Sequence, residues 1–402
     1  MIIAYLIHDT HTLLTCSLVS RSWYIAAVPH LHRTLVARMN PFTGDKETKW
    51  PKSLRMASKF GSLPFVTRLF IYGDPYGHEF SPKRFHYWTR REFSALTNVR
   101  ELSIGGLDIP SFIPTIQQYF GQFSPTVRSL SLRGPKGTYR QIVFFIGLFP
   151  HLEDLTIHTG WSYDWNALDD PTLIPPFVPP FGGRLTATSG GGYYFAKTLI
   201  DLFGKVQFRH MDLLHMDSGT QLLVYACADT LETLELDATD ICGEKLCSEN
   251  ASALSNDFTG WSRDLDLSRN NSLCKLKTTA RSLISSLRDR APGTVQNTFR
   301  AIISTIDSPT FSDFVVAYQL GDFYNVTYPE GRTAEFGDED AWYRRQFEVF
   351  REMYKARDFQ LLLWAYCVSD SSVRELERAV AVEKAKGGLP PRLSMAYSLA
   401  AR

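Results

Sequence analysis

Carboxylates, imidazoles and thiols are the side chains that carry acid–base, metal and nucleophilic chemistry, and in this chain they form few groups. Asp212 and Asp217 precede Asp237 and Asp240, and two of these brought together would divide the acid and base roles of a hydrolase. His8 and His11 are three apart and His30 and His32 two apart, spacings that suit a shared metal, but no Cys or carboxylate completes either set convincingly. Cysteines stand at 16, 227, 242, 247, 274 and 367, with no C-x-x-C pair, and read as reduced, mostly buried thiols. No G-x-x-x-x-G-K-[ST], G-x-S-x-G, H-E-x-x-H or kinase-type H-R-D pattern occurs. The Gly190–Gly192 run lacks what a phosphate loop needs after it and reads as a bend. The sequence therefore predicts no enzyme, no cofactor and no metal site, with the acidic residues as solvated carboxylates at strand ends.

Composition sets the frame for these residues. With 402 residues, 44% of them hydrophobic and 21% charged, the chain buries a large core. Lys plus Arg number 43 and Asp plus Glu 42, so the net charge of +1 gives no general attraction to nucleic acid. The longest apolar runs, Ile142–Phe149 and Leu361–Val368, fall short of the roughly 20 residues of a membrane span, so no membrane partner is expected. The opening Met-Ile-Ile-Ala-Tyr-Leu-Ile meets His8 and Asp9 without a basic region or a cleavage site, and reads as the edge of a helix. The sequons at Asn250, Asn271 and Asn325 are discounted for the same reason. A cytoplasmic or nuclear protein is expected.

Residues 1–40 read as short helices. Leu13, Leu14, Leu18 and Val19 make one helical stripe, Thr10 is placed to cap it, Ser20 or Ser22 begins the next helix, and Pro29 interrupts that helix near His30 and His32. A unit of about forty residues has too small a core to satisfy its own apolar surface. Leu6, Leu13, Leu14, Leu18 and Val19 are accordingly predicted either to meet a partner or to pack on the chain's first repeat. Trp23 has two roles open to it, the core of the unit and a partner-facing surface.

The run Thr12-Leu13-Leu14-Thr15-Cys16-Ser17-Leu18-Val19-Ser20-Arg21-Ser22-Trp23, with Ala26-Ala27 and His30-Leu31, resembles the second half of an F-box. That family opens its first helix with Leu-Pro and an acidic residue, and this chain starts inside that helix, so the F-box is expected to be truncated at its N-terminus. The resemblance implies docking to the Skp-type adaptor of a cullin-RING ubiquitin ligase, with Leu6, Leu13, Leu14, Leu18, Val19 and Trp23 as the adaptor-binding residues.

Downstream, an apolar-x-x-apolar-x-apolar pattern repeats. Val66-Thr-Arg-Leu69-Phe-Ile71, Val99-Arg-Glu-Leu102-Ser-Ile104, Val127-Arg-Ser-Leu130-Ser-Leu132 and Leu152-Glu-Asp-Leu155-Thr-Ile157 share its spacing. Leu69, Leu102, Leu130 and Leu155 follow one another at intervals of 33, 28 and 25 residues, irregular but compatible with leucine-rich repeats of roughly 20–29. Further copies are Met211-Asp-Leu213, Leu231-Glu-Thr-Leu234-Glu-Leu236, Leu265-Asp-Leu267 and Leu273-Cys-Lys-Leu276, and Phe314–Gln319 adds a terminal strand. Helical stretches at Ser111–Phe123, Tyr139–Leu148 and Ala196–Phe203 lie between strands. The predicted fold class is α/β: a small N-terminal helical unit, then over residues 54–370 an irregular leucine-rich-repeat-like solenoid with short parallel strands on the concave face and helices on the convex face.

Alternation along each strand sends Leu234 and Leu236 inward and Glu235 and Asp237 outward. It likewise exposes Ser131 and Arg133, Thr156 and His158, Asp212, and Asp266 and Ser268. Arg133, His158, Asp212, Glu235, Asp237 and Asp266 are the candidates for contacting a target protein on the concave face. Proline excludes regular structure from residues 169–183, a surface loop followed by a strand at Leu185–Thr188, and Ser189–Phe195 reads as a hairpin turn or bend. Residues 328–340 form an acidic loop, Ala341–Lys355 a helix, Phe359–Tyr366 a buried strand, and 371–402 a capping helix over Ser371–Lys386 with a tail, stopped by Gly387-Gly388.

Phe149-Pro150-His151-Leu152-Glu153-Asp154-Leu155, the run Pro175 to Leu185 and Leu265-Asp-Leu-Ser-Arg-Asn270 resemble fungal, mushroom-lineage F-box proteins with leucine-rich-repeat-like regions. The resemblance implies a substrate receptor that holds an unidentified target protein for ubiquitin transfer. Two alternatives stay open: a repeat-based interaction scaffold with a vestigial F-box, and a hydrolase built on the clustered carboxylates.

Overall fold

The computed structural model describes residues 9–38, 52–72, 93–158, 170–187, 192–213, 218–236, 265–279, 305–319, 351, 360–367, 370–387, 389 and 392–399. Among them the expected α/β class is present as short parallel strands joined by helices. The chain divides into two compact units, Met1–Val206 and Gln207–Arg402.

The first unit begins with helices α1 (Thr10–Val19) and α2 (Arg21–Leu31), which pack on each other. Asp9, not Thr10, caps α1: its Oδ1 accepts from the Thr12 amide at 2.9 Å and its Oδ2 from the Thr12 hydroxyl at 2.6 Å. These bonds hold the Asp9 carboxyl below the usual carboxylate range. Ser20 caps α2 through the Trp23 amide at 3.3 Å. Pro29 lies within α2 rather than ending it, because the helix runs only two residues further and one missing donor in the last turn disturbs little.

Strand β1 (Thr34–Arg38) follows at once, inside the segment predicted to be only helical. Its sequence lacks the leading half of the repeated pattern, which is why the pattern passes over it. Strands β2 (Arg68–Tyr72), β3 (Glu101–Gly105), β4 (Ser129–Arg133), β5 (Asp154–His158) and β6 (Arg184–Ala187) continue the sheet, each parallel to the one before. Leu69, Leu102, Leu130, Leu155 and Leu185 stand in register, and so do Ile71, Ile104, Leu132, Ile157 and Ala187. Apart from half-buried Ala187 these rows are buried, so one face of the sheet is core and its alternates form an open face.

One entry geometry recurs. The Thr67 and Arg68 amides both donate to Arg33 O, those of Arg100 and Glu101 to Thr67 O, Arg128 and Ser129 to Arg100 O, and Glu153 and Asp154 to Arg128 O. Each of β2 to β5 is thus pinned at its start to a single carbonyl of the preceding crossing.

The connections bury aromatics against the Leu and Ile rows. The stretch Ser111–Phe123 is expected to be helical, but Pro114 breaks it, and the chain forms α3 (Ile109–Phe112), α4 (Ile116–Phe120) and 3-10 turns at Ile113–Thr115 and Gly121–Phe123. Phe120 and Phe145 meet edge to face at 5.1 Å, and Phe145 meets Phe149 at 5.6 Å. Helix α5 (Tyr139–Ile146) opens with a buried capping box in which Thr138 and Gln141 bond reciprocally, at 2.9 and 3.3 Å.

The proline-rich segment is an ordered coil. Arg140 Nη1 donates to the carbonyls of Pro171 and Leu173, and the Phe177 amide donates to Gly147 O at 3.1 Å. A Cβ on Gly147 would stand 2.4 Å from Pro175 Cβ, so only glycine admits the segment this close. Phe181 sits at φ +48, a cost met by full burial and a ring contact with Phe203 at 5.3 Å. Helix α6 (Gly192–Phe203) takes in Tyr193–Phe195, which were predicted as a turn.

The second unit holds β7 (His210–Leu213), helix α7 (Ser218–Ala226), β8 (Thr233–Leu236), β9 (Lys275–Thr279), β10 (Asp313–Gln319), β11 (Gln360–Cys367), helix α8 (Asp370–Ala385) and β12 (Leu393–Leu399). Its strands are again parallel in sequence order, with Met211, Leu234, Leu276, Phe314, Leu361 and Leu393 in one register row. The same entry geometry returns where the Glu232 and Thr233 amides share Arg209 O and those of Cys274 and Lys275 share Glu232 O.

Three expectations change here. Leu265-Asp266-Leu267 is not a strand but part of the turn before β9, where Asp266 Oδ1 accepts from the Ser268 amide at 2.9 Å. Strand β10 is not terminal, and the predicted tail contains β12. The acidic loop 328–340 and nearly all of the predicted helix Ala341–Lys355 lie outside the described residues.

Candidate functional site

Three regions carry the candidate residues. The first is the α1–α2 pair. Leu13 is buried at 1% exposure, whereas Leu14 is 52%, Leu18 87%, Val19 68% and Ile25 61% exposed. One turn of α1 therefore anchors the pair while its end, with the adjoining part of α2, turns large aliphatic groups to solvent. Tyr24 is also exposed and Trp23 is half-buried, which fits both roles left open for it. Leu6 lies outside the described residues. Leu14, Leu18 and Val19 are exposed on α1, whereas Leu13 is buried. Tyr24 and Ile25, which follow Trp23 directly in the sequence, are exposed as well and were not among the predicted contact residues.

The second surface is the open face of the first unit. Phe70, Ser103, Ser131, Thr156 and Thr186 form one row across β2 to β6, and Tyr72, Gly105, Arg133 and His158 form the next. Arg133 is exposed and its guanidinium carbon lies 5.7 Å from the Tyr72 ring centroid. Gly105 makes this reach possible: a Cβ there would stand 3.0 Å from Tyr72 Cδ1 and 3.9 Å from Arg133 Cβ. Phe70 and Tyr72 stack at 6.2 Å with an angle of 24°. Burial, with a contribution from Arg133, holds the His158 imidazole below its ordinary value. Phe70, Tyr72, Ser103 and Gly105 were not among the predicted contact residues; the alternation argument that selected Arg133 selects Tyr72 equally when applied two strands earlier.

In the second unit Asp212, Glu235 and Lys277 stand in one register row, and Glu235 bonds Lys277 directly. Asp237 lies outside the described residues, as do Asp217 and Asp240, which leaves Asp212 and Glu235 as the candidate carboxylates described on β7 and β8. The Glu235 carboxylate is committed to a lysine, an arrangement suited to fixing the surface rather than to dividing acid and base roles. Asp266 faces its own turn, not the sheet, and its hydrogen bonds to Ser268 hold its carboxyl below the usual range.

His8, Cys242 and Cys247 lie outside the described residues, and among those described no three His, Cys, Asp or Glu side chains are placed to hold a metal ion. Of the cysteines that are described, Cys227 is buried and pushed up to about 12, while Cys16 and Cys274 are half-buried. No helix among the described residues is long and apolar enough to cross a membrane.

Comparison with known proteins finds no family model that matches the chain and no matching curated protein.

Proposed function

We propose that this chain is an F-box-type substrate receptor of a cullin-RING ubiquitin ligase, acting in the cytosol or nucleus. The α1–α2 pair, with Leu14, Leu18, Val19 and Trp23 at its centre, docks a Skp-type adaptor, and the repeated strands form a leucine-rich-repeat-like solenoid whose concave face holds a target protein. The chain performs no chemistry; it raises the local concentration of the target at the ligase.

The observation that supports this most is the exposure of Leu14, Leu18, Val19 and Ile25 on a helix pair whose sequence resembles an F-box. Contiguous large aliphatics on so small a unit are stabilised by burial against another protein. The test is co-purification of the full chain with a Skp-type adaptor, compared with a Leu14→Glu/Leu18→Glu variant. Both positions are exposed, so the variant keeps the wild-type melting curve and loses the adaptor. Absence of the adaptor from the wild-type preparation removes the ligase reading and leaves a repeat scaffold.

A further inference from the structure

Cations on the open faces fall into two kinds. Arg68 meets Glu101 across the strands at 2.8 Å, and Lys277 meets Glu235. Arg133 meets no carboxylate among the described residues, and its register neighbour on β5 is His158, a second nitrogen donor. Two positions back on the same strands lie the hydroxyls of Ser131 and Thr156. Beside Ser131, Ser103 is only 5% exposed and its Oγ has no hydrogen-bond partner. A buried hydroxyl left unpaired is costly and marks a place where an acceptor is missing.

We propose that Arg133, His158, Ser131 and Thr156, with Ser103 as a spare donor, form a binding site for an oxyanion carried by an extended peptide of the recruited protein. Every group named donates to an anionic oxygen, and the guanidinium matches the geometry of a carboxylate or a phosphate. The Tyr72 ring holds the guanidinium in place before the ligand arrives, which lowers the ordering cost of binding. The stacked Phe70 and Tyr72 supply half-buried apolar surface beside the charge, as a peptide needs and a free inorganic ion does not. Arg133 carries the positive charge at this end of the strands, where no acid described on β4 or β5 offsets it, and His158 adds an imidazole N–H donor.

The site rests on the receptor reading only for the identity of the protein that bears the peptide. It is therefore tested on the full chain without adaptor, by fluorescence polarisation with three Gly/Ser peptides of equal length. One carries a single phosphoserine, one a glutamate at that position and one serine. An anionic peptide is expected to bind about tenfold or more tightly than the serine peptide, with affinity falling as salt rises. Which anionic peptide binds better identifies the oxyanion. Arg133→Gln is expected to lose that advantage, while Arg68→Gln, whose partner is Glu101, keeps it. Gly105→Val, which displaces Tyr72 without touching a charge, is expected to weaken binding severalfold. Equal binding of all three peptides, no binding of any, or unchanged affinity in both Arg133→Gln and Gly105→Val overturns the site. Adaptor capture with no peptide binding rejects the site alone; peptide binding with no adaptor capture rejects the receptor reading alone.

Discussion

The α1–α2 pair and the sheet from β3 to β5 are built from the same aliphatic residues and dispose of them in opposite ways. In the sheet Leu102, Ile104, Leu130, Leu132, Leu155 and Ile157 are all buried, stacked in register and covered by phenylalanines from the connections. In the helix pair Leu13 is buried and Leu14, Leu18, Val19 and Ile25 are not. The sheet rows are buried within the chain, whereas the helix pair exposes much of its apolar surface. Apolar content alone does not distinguish a core from an exposed surface; the presence of a covering layer does.

The sharpest way to break this contrast is to remove one covering side chain. Phe145→Ala vacates the space between Phe120 and Phe149 and is expected to cost about 3–5 kcal/mol in a urea unfolding curve. Gly147→Ala forces a Cβ into Pro175 and is expected to cost about 1–3 kcal/mol, with faster hydrogen exchange at the Phe177 amide that Gly147 O accepts. The helix caps sharpen the comparison at smaller scale. Thr138→Ala opens a buried capping box and is expected to cost about 1–2 kcal/mol, Ser20→Ala at the exposed α2 cap less than 1 kcal/mol or about that, both read from melting midpoints. Leu18→Ala is expected to change stability by no more than about 0.5 kcal/mol while weakening adaptor capture; a loss comparable with Phe145→Ala would show that Leu18 is core after all.

The smallest effect is a pH slope. Burial lowers the pKa of both His32 and His158 from 6.5, so the unfolded chain takes up protons more readily than the folded one. Stability from these groups is complete above about pH 6.5 and falls as pH drops below it toward the depressed folded values. His158→Gln is expected to flatten part of that slope below about pH 6.5, measured as the shift in urea midpoint.

The strands that announced themselves in the sequence did so because both halves of their pattern are local. Val66-Thr-Arg-Leu69-Phe-Ile71 gives the buried entry residue and the two core-facing side chains within six positions, and β3, β4 and β5 repeat it. Strand β1 has Leu35 and Ala37 facing the core but no apolar lead-in, since α2 ends just before it. Leu265-Asp266-Leu267 shows the reverse failure: two leucines alternate and are buried, yet Asp266 bonds Ser268 and turns the backbone out of the ladder. On the open face, side-chain direction was legible from alternation, so Arg133 and His158 were read as facing outward. Tyr72 and Gly105 were not, because their significance lies in a ring from β2 reaching over a missing Cβ on β3 to a guanidinium on β4. That relation crosses three strands and leaves no mark in any one of them.

The shared-carbonyl entries at Arg33, Thr67, Arg100 and Arg128 have a kinetic consequence. Each couples a strand to the one immediately before it in sequence, so cooperative unfolding passes from neighbour to neighbour within the unit rather than engaging all strands at once. Amide protection in the first unit should therefore fall off gradually from β3–β4 toward β1, whose amides exchange by local fraying. Tolerance to insertions between strands should be high wherever the shared carbonyl and its two amides are left intact.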